Sequence, residues 1–291
     1  MTTPTKTITT KTRLLGVCGW PVEHSLSPAI QNAAIHAARA DYVYLAFPIK
    51  PDAFQTAVRG LAAAGMIGLN CTIPHKDAAL ALSDEITEEA QMVNAVNTLT
   101  FRDGKIFGAN TDIEGYVETL KQDGRFNFQD ARVCQLGCGG AGRAMAFGTL
   151  IAGAASLTLV NRTTEKAEAL AQELKRRYPH RTIKTLSFDN TEALRENVAT
   201  ASLVANATSL GLHEGDAFPC PVEAIPADAL VFDAAYTAER STAWLRAAAN
   251  RGNATLDGLG MLVRQGAASF RIWTGIEADI SAMFDALPKA P

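Results

Sequence analysis

The sequence predicts an α/β protein of two domains, the second of them doubly wound. Three observations carry this. Apolar runs of strand length alternate with helix-periodic segments along the chain, the pattern of a mostly parallel sheet with covered faces. The 291 residues exceed what one compact core usually takes. A glycine-rich turn, Gly137-Cys138-Gly139-Gly140-Ala141-Gly142-Arg143, joins the apolar run Ala131–Leu136 to an uncharged helical stretch.

In chain order, Leu14–Cys18, Tyr42–Phe47 and Met66–Asn70 read as strands, and Pro28–Arg39, Pro51–Ala64 and Lys76–Leu82 as helices. Ser27 before Pro28 has the residue types of an N-cap followed by the first helical position. Residues 101–107 form a hairpin pattern with Asp103-Gly104 as its turn. A helix from about Ile113 to Asp123 leads to strands near 131–137, 156–160, 181–186, 201–206 and 229–234, separated by helical stretches. The tail, Met261–Phe270 and Ile276–Leu287, is helical and has no strand partner of its own. The expected division is 1–112, a substrate domain; 113–257, a nucleotide domain; and 258–291, helices returning to the first.

A strand, a tight turn and a helix start is the setting in which G-x-G-x-x-G binds a dinucleotide. Gly137 permits the turn, Gly139 lets backbone approach a pyrophosphate, and Gly142 lets helix lie close on strand. Gly140 and Ala141 open the helix whose free N–H groups and positive dipole end would hold the phosphates. This is a Rossmann-type unit. An NAD site would carry an acid at the end of the second strand; here Asn161 stands there, followed by Arg162, Thr163 and, one turn on, Lys166. A carboxylate repels a 2′-phosphate, whereas these groups bind one, each charge-assisted contact being worth about 1.5–3 kcal/mol. The expected cofactor is therefore NADP(H). Thr163 or Thr164 reads as the N-cap of a helix over Glu165–Tyr178.

Composition narrows the class. With 27 basic and 30 acidic residues the net charge is −3, which gives no electrostatic case for nucleic acid or an anionic membrane. Five scattered cysteines, Cys18, Cys71, Cys134, Cys138 and Cys220, make no C-x-x-C pair and no zinc spacing, so buried thiols in a reducing, cytoplasmic setting are expected and no metal. Residues 144–160 carry no charge, but split better into helix, a Gly153 break and strand than into a membrane span. Met1–Lys11 lacks the apolar stretch of a secretory signal, and a frayed terminus is expected. A small-molecule substrate and a monomer or homodimer complete the expectation.

The first domain places polar groups where plain core-building would not. Ser25 precedes the Ser27-Pro28 helix start without a capping task of its own. Asn70 and Thr72 alternate at a strand end, Pro74 keeps Ile73 extended, and a helix opens at Lys76. Asn97-Thr98 and Asn110-Thr111-Asp112 add amides, hydroxyls and a carboxylate at segment ends. Together they suit a small polyhydroxylated anion.

In these motifs the sequence resembles the shikimate dehydrogenases. The resemblance runs from about Leu15 to Asp285 through Gly19-Trp20-Pro21-Val22-Glu23-His24-Ser25-Leu26-Ser27-Pro28, Asn70-Cys71-Thr72-Ile73-Pro74-His75-Lys76, Ala95-Val96-Asn97-Thr98 and Asn110-Thr111-Asp112. It continues through the glycine turn, Asn161-Arg162-Thr163, Asn206-Ala207-Thr208-Ser209 and Gly258-Leu259-Gly260-Met261-Leu262-Val263-x-Gln265. The resemblance implies reversible NADPH-dependent reduction of 3-dehydroshikimate to shikimate, on the route to chorismate and aromatic amino acids. It implies Ser25 and Ser27 on the substrate carboxylate, Asn70, Thr72, Asn97, Tyr236 and Gln265 on the ring, and Lys76 with Asp112 as the catalytic pair. Thr208 and Ser209 would line the cofactor channel, with Gly258 and Met261 near the nicotinamide, and a cleft between the domains would close around substrate.

The chain departs from the family pattern at Ala109, Gln31, Asn94, Cys71 and Ser241-Thr242. None removes a catalytic group. The rivals are a quinate/shikimate dehydrogenase using NAD, and an inactive nucleotide-binding regulator on the same scaffold. Asn161 and Arg162 weigh against the first, and the intact Lys76 and Asp112 against the second.

Overall fold

A computed structural model describes residues 7–237 and 241–288, so most of the stretch expected to fray, residues 1–6, lies outside the described residues. The chain divides into two compact units. The first opens with β1 (Arg13–Gly19), α1 (Ser27–Ala37), β2 (Tyr42–Pro48), α2 (Phe54–Ala63), β3 (Gly68–Cys71) and α3 (Lys76–Leu82). β4 (Glu85–Ile86), α4 (Glu88–Val93), β5 (Thr98–Arg102) and β6 (Lys105–Ala109) follow. Its six-stranded sheet runs β2-β1-β3-β5-β6-β4. β1 is parallel to β2 and β3, and β5 and β6 form the antiparallel hairpin. Asp103 and Gly104 both take positive φ (52° and 72°), as a two-residue hairpin turn requires.

The second unit contains α5 (Asp112–Gln122), β7 (Arg132–Leu136), α6 (Gly140–Ile151), β8 (Ser156–Asn161), α7 (Thr164–Arg177), β9 (Thr182–Ser187) and α8 (Thr191–Val198). β10 (Leu203–Asn206), β11 (Leu230–Asp233), α9 (Ala243–Asn250) and β12 (Thr255–Leu256) complete its sheet and cover. The strands run β12-β11-β10-β7-β8-β9, all parallel. The order reverses between β7 and β10, which makes the turns after those two strands the walls of a ligand crevice. The charge-free stretch over 144–160 is α6, a break at Gly153 (φ 112°) and β8. Among the described residues no helix is long and apolar enough to cross a membrane.

The last helices are α10 (Leu259–Thr274) and α11 (Ile280–Asp285). Val263–Pro288 group with the first unit, where α11 packs on α1. The indole N–H of Trp273 donates to the Leu99 carbonyl at 3.0 Å. Its ring occupies the space where a Cβ on Gly68 would meet it at 2.1 Å, which is why that strand position is glycine.

Two expectations are corrected. Ser27 is not the N-cap of α1: Leu26 takes that place, and Ser27 is the first helical residue, buried. Pro28 then sits second, still within the turn that needs no N–H donor. α11 begins at Ile280 rather than Ile276, because Asp279 supplies the cap, its carboxylate accepting the Ala282 N–H. β4, α4 and β12 were not anticipated. Thr87 caps α4 by accepting from Ala90 N–H, and Asn94 ends it in the left-handed region (φ 54°).

Candidate functional site

In the second unit the glycine turn has the geometry its residues imply. Gly137 has φ 101°, and a Cβ on Gly142 would lie 2.3 Å from the Gly137 carbonyl oxygen. Helix and turn can be this close only with glycine. A Cβ on Gly139 or Gly140, by contrast, would meet nothing within 4 Å. These are the positions where open space faces the first turn of α6, whose opening N–H groups have no helical acceptor. A turn of this form can cradle an anion.

Beside it lies a cavity of about 830 Å³. Gly139, Asn161, Arg162, Thr163, Lys166, Thr208 and Ser209 all line it, so seven residues singled out from sequence meet in one place. Arg162 and Lys166 are exposed and supply positive charge at the mouth. Asn161 does more than replace an acid: its Oδ1 accepts the Cys138 N–H at 3.1 Å and its Nδ2 donates to the Thr163 carbonyl at 2.7 Å. Thr163 stands at the N-cap position of α7, but its hydroxyl makes no capping bond.

Another wall follows β10, through Thr208, Ser209 and Leu210, and is braced by β11. Asn206, fully buried, donates to Asp233 Oδ1 and to the Leu210 carbonyl, and its Oδ1 accepts from Thr208 N–H and Oγ1. Asp233 also accepts from Ala235 N–H and from the Thr242 hydroxyl. Burial pushes its carboxyl up to about 6, against those hydrogen bonds. Thr242 thereby gains a task, capping α9 through Leu245 N–H while holding Asp233. Tyr236, at the end of the Asp-x-x-Tyr stretch, is 36% exposed. Gly258 approaches Ala234 so closely that a Cβ would lie 2.0 Å from its carbonyl oxygen, and Met261 is buried.

The first unit gathers the other set. The Cys18 and Cys71 thiols, on adjacent strands, lie 3.7 Å apart and buried; Cys138 is only half-buried. Lys76 opens α3 and is half-buried, and its carbonyl accepts the Val96 N–H at 3.2 Å. His75, buried, bonds the Ile49 carbonyl at 2.7 Å and stacks on Phe54, fixing the turn that delivers Lys76. Thr72, half-buried, is tied by its N–H to the Cys18 carbonyl. Ser25 is half-buried, and its hydroxyl accepts the Ser27 N–H at 3.3 Å. It therefore does have a local structural task.

Asn70 and Asn97 are nodes of a buried network. Asn70 accepts from the Tyr44 phenol at 2.7 Å and donates to Asn97 O, Thr98 Oγ1 and Ser269 Oγ. Asn97 Oδ1 accepts the Thr111 N–H, and its Nδ2 donates to Thr111 Oγ1. The Thr111 hydroxyl lies 3.4 Å from Gln265 Oε1. Asp112 follows directly, buried, as the first residue of α5. Burial raises the Tyr44 phenol well above its ordinary value, with the Ser27 hydroxyl opposing.

The sequence alone does not single out Tyr44 or Ser269: Tyr44 reads as an ordinary strand aromatic and Ser269 as any small helix residue.

Comparison with known proteins decides what this arrangement belongs to. A family model of the shikimate dehydrogenase substrate binding domain matches residues 17–99, and one of the shikimate 5′-dehydrogenase C-terminal domain matches residues 258–287. The shikimate dehydrogenase (NADP(+)) of Methanopyrus kandleri is 41% identical over 279 residues, 95% of each chain. The chain belongs to the shikimate dehydrogenase family. The crystal structure of the Thermus thermophilus shikimate 5-dehydrogenase with NADP(H) and shikimate has a TM-score of 0.83 at 36% identity, covering 96% of this chain and all of that one. A 5-ketofructose reductase of Gluconobacter matches with a TM-score of 0.87 at 34% identity, over 96% and 99% of the two chains. A protein named for a different reduction thus shares this fold.

Proposed function

We propose that this protein is an NADP-dependent shikimate dehydrogenase, reducing 3-dehydroshikimate reversibly to shikimate. The observation that carries the reading is the cavity where Arg162, Thr163 and Lys166 meet Gly139 with no acid at Asn161, within a chain 41% identical to an NADP(+) shikimate dehydrogenase.

The residues fit the cofactor. The open space over Gly139 and Gly140 takes a pyrophosphate, and Arg162 and Lys166 pair with a 2′-phosphate. When bound, NADPH supplies the hydride. The first unit binds the substrate, with Ser25 and Ser27 on its carboxylate and Thr72, Asn97 and Gln265 on its hydroxyls. Asn70 acts through the network that orients Asn97. As hydride reaches the ketone carbon, negative charge builds on its oxygen. Lys76 stabilises that charge and delivers the proton, and Asp112 holds the ammonium and a neighbouring hydroxyl. Tyr236 helps to orient the ring, and Gly258 and Met261 back the nicotinamide.

Initial rates with shikimate and quinate, each with NADP and NAD, test the reading. Fastest turnover with shikimate and NADP is expected, and a preference for quinate with NAD overturns it. Lys76→Ala should lose about three orders of magnitude or more in turnover while still binding NADP. Retained turnover removes Lys76 from the mechanism.

A further inference from the structure

The Gly137–Cys138 peptide of the glycine turn is held at both of its polar ends by side-chain amides. Gln135 Nε2 donates to the Gly137 carbonyl at 2.9 Å, and the N–H of the same peptide, on Cys138, is accepted by Asn161 Oδ1 at 3.1 Å. In a trans peptide the C=O and N–H point in opposite directions, so two clamps on opposite sides fix the rotation of the whole plane. Gln135 also donates to the Gly142 carbonyl at 2.7 Å. One side chain therefore spans the first and last glycines of the motif.

The placement follows from β7. Successive residues of a strand face opposite ways. Cys134 and Leu136 lie in the apolar cluster on one face, and Gln135 takes the other, fully buried. Its Oε1 makes no hydrogen bond among the described residues. A buried amide oxygen without a partner is costly, and an aliphatic residue here would avoid that cost. What Gln135 supplies in return is its two donors, both given to the turn.

We propose that Gln135 is a positioning residue for the cofactor: with Asn161 it locks the Gly137–Cys138 peptide so that the turn presents N–H groups, not a carbonyl, to the pyrophosphate. Released, the Gly137 carbonyl can rotate toward the phosphates and repel them. The inference rests on the dinucleotide reading above, and the two fail separately. Absence of NADP-linked turnover in the unaltered protein defeats that reading. Normal turnover with indifferent Gln135 variants defeats only this one.

Gln135→Met keeps the length and removes both donors. The KM for NADP should rise about tenfold, with kcat at saturating cofactor falling much less and the KM for shikimate moving less than about twofold. An NADP affinity equal to that of the unaltered protein, read by NADPH fluorescence, overturns the proposal. Should Gln135→Met not fold, Gln135→Glu decides. Its carboxyl donates a hydrogen bond only when protonated, so its KM for NADP, divided by that of the unaltered protein at the same pH, should fall from about pH 9 to about pH 6. A ratio flat with pH overturns the proposal.

Discussion

The phenol of Tyr44 donates to Asn70 Oδ1 at 2.7 Å, and that bond decides which way the Asn70 amide faces. With the oxygen taken, the NH₂ must serve Asn97, Thr98 and Ser269. Tyr44→Phe leaves a buried acceptor without its donor. It should cost about 1–3 kcal/mol of stability, read as a lower urea midpoint, and raise the KM for shikimate without moving that for NADP. An equal rise in both would show that Asn70 does not act through the first unit.

Two glycines of one motif should answer substitution oppositely. Gly142→Ala drives a methyl to 2.3 Å from the Gly137 carbonyl, backbone that cannot step aside. Thermal scans should show a loss of about 1–3 kcal/mol or more. Gly139→Ala meets nothing within 4 Å, so the melting temperature should hold while NADP affinity drops, because the methyl enters the space assigned to the pyrophosphate.

Asp233 predicts a pH signature. Its folded carboxyl is raised to about 6, above the unfolded value, so the folded state holds the proton more tightly. Its contribution is fully present below the unfolded value near 4 and is lost as pH rises through about 6, by up to about 1.4 kcal/mol per pH unit. Asp233→Asn cannot titrate. The stability of the unaltered protein minus that of the variant, from urea unfolding at each pH, should therefore decline across this window and level off above it.

Cofactor choice should follow charge at the cavity mouth. Arg162→Ala should lower the preference for NADP over NAD by about tenfold or more, chiefly through the KM for NADP, and the change should shrink as ionic strength rises. An unaltered preference would move the 2′-phosphate away from this residue.

Much of this was legible in the sequence because it rests on local rules. The Asp103-Gly104 hairpin, the glycine turn and the Arg162-Thr163 strand end are each written in neighbouring residues. What stayed hidden is non-local. Tyr44, Asn70 and Ser269 come from a strand, another strand and the penultimate helix, and periodicity assigns each to the interior without saying that their polar ends meet. Ser-Pro fits a cap, but packing places the Ser27 hydroxyl inside, beside Tyr44. β4 and β12 are two residues long, too short for any alternation to show.

Trp273 and Ser269 belong to the first unit although they follow every strand of the second in the chain. On the ribosome the second unit has all its strands by Leu256 and can fold as it emerges. The first must wait, its sheet bare at Gly68 and Leu99 until the indole arrives. Its early half therefore stays exposed while the second unit is made, and a premature stop a few codons before Trp273 would forfeit a domain whose first strand, opening at Arg13, was made about 260 residues earlier.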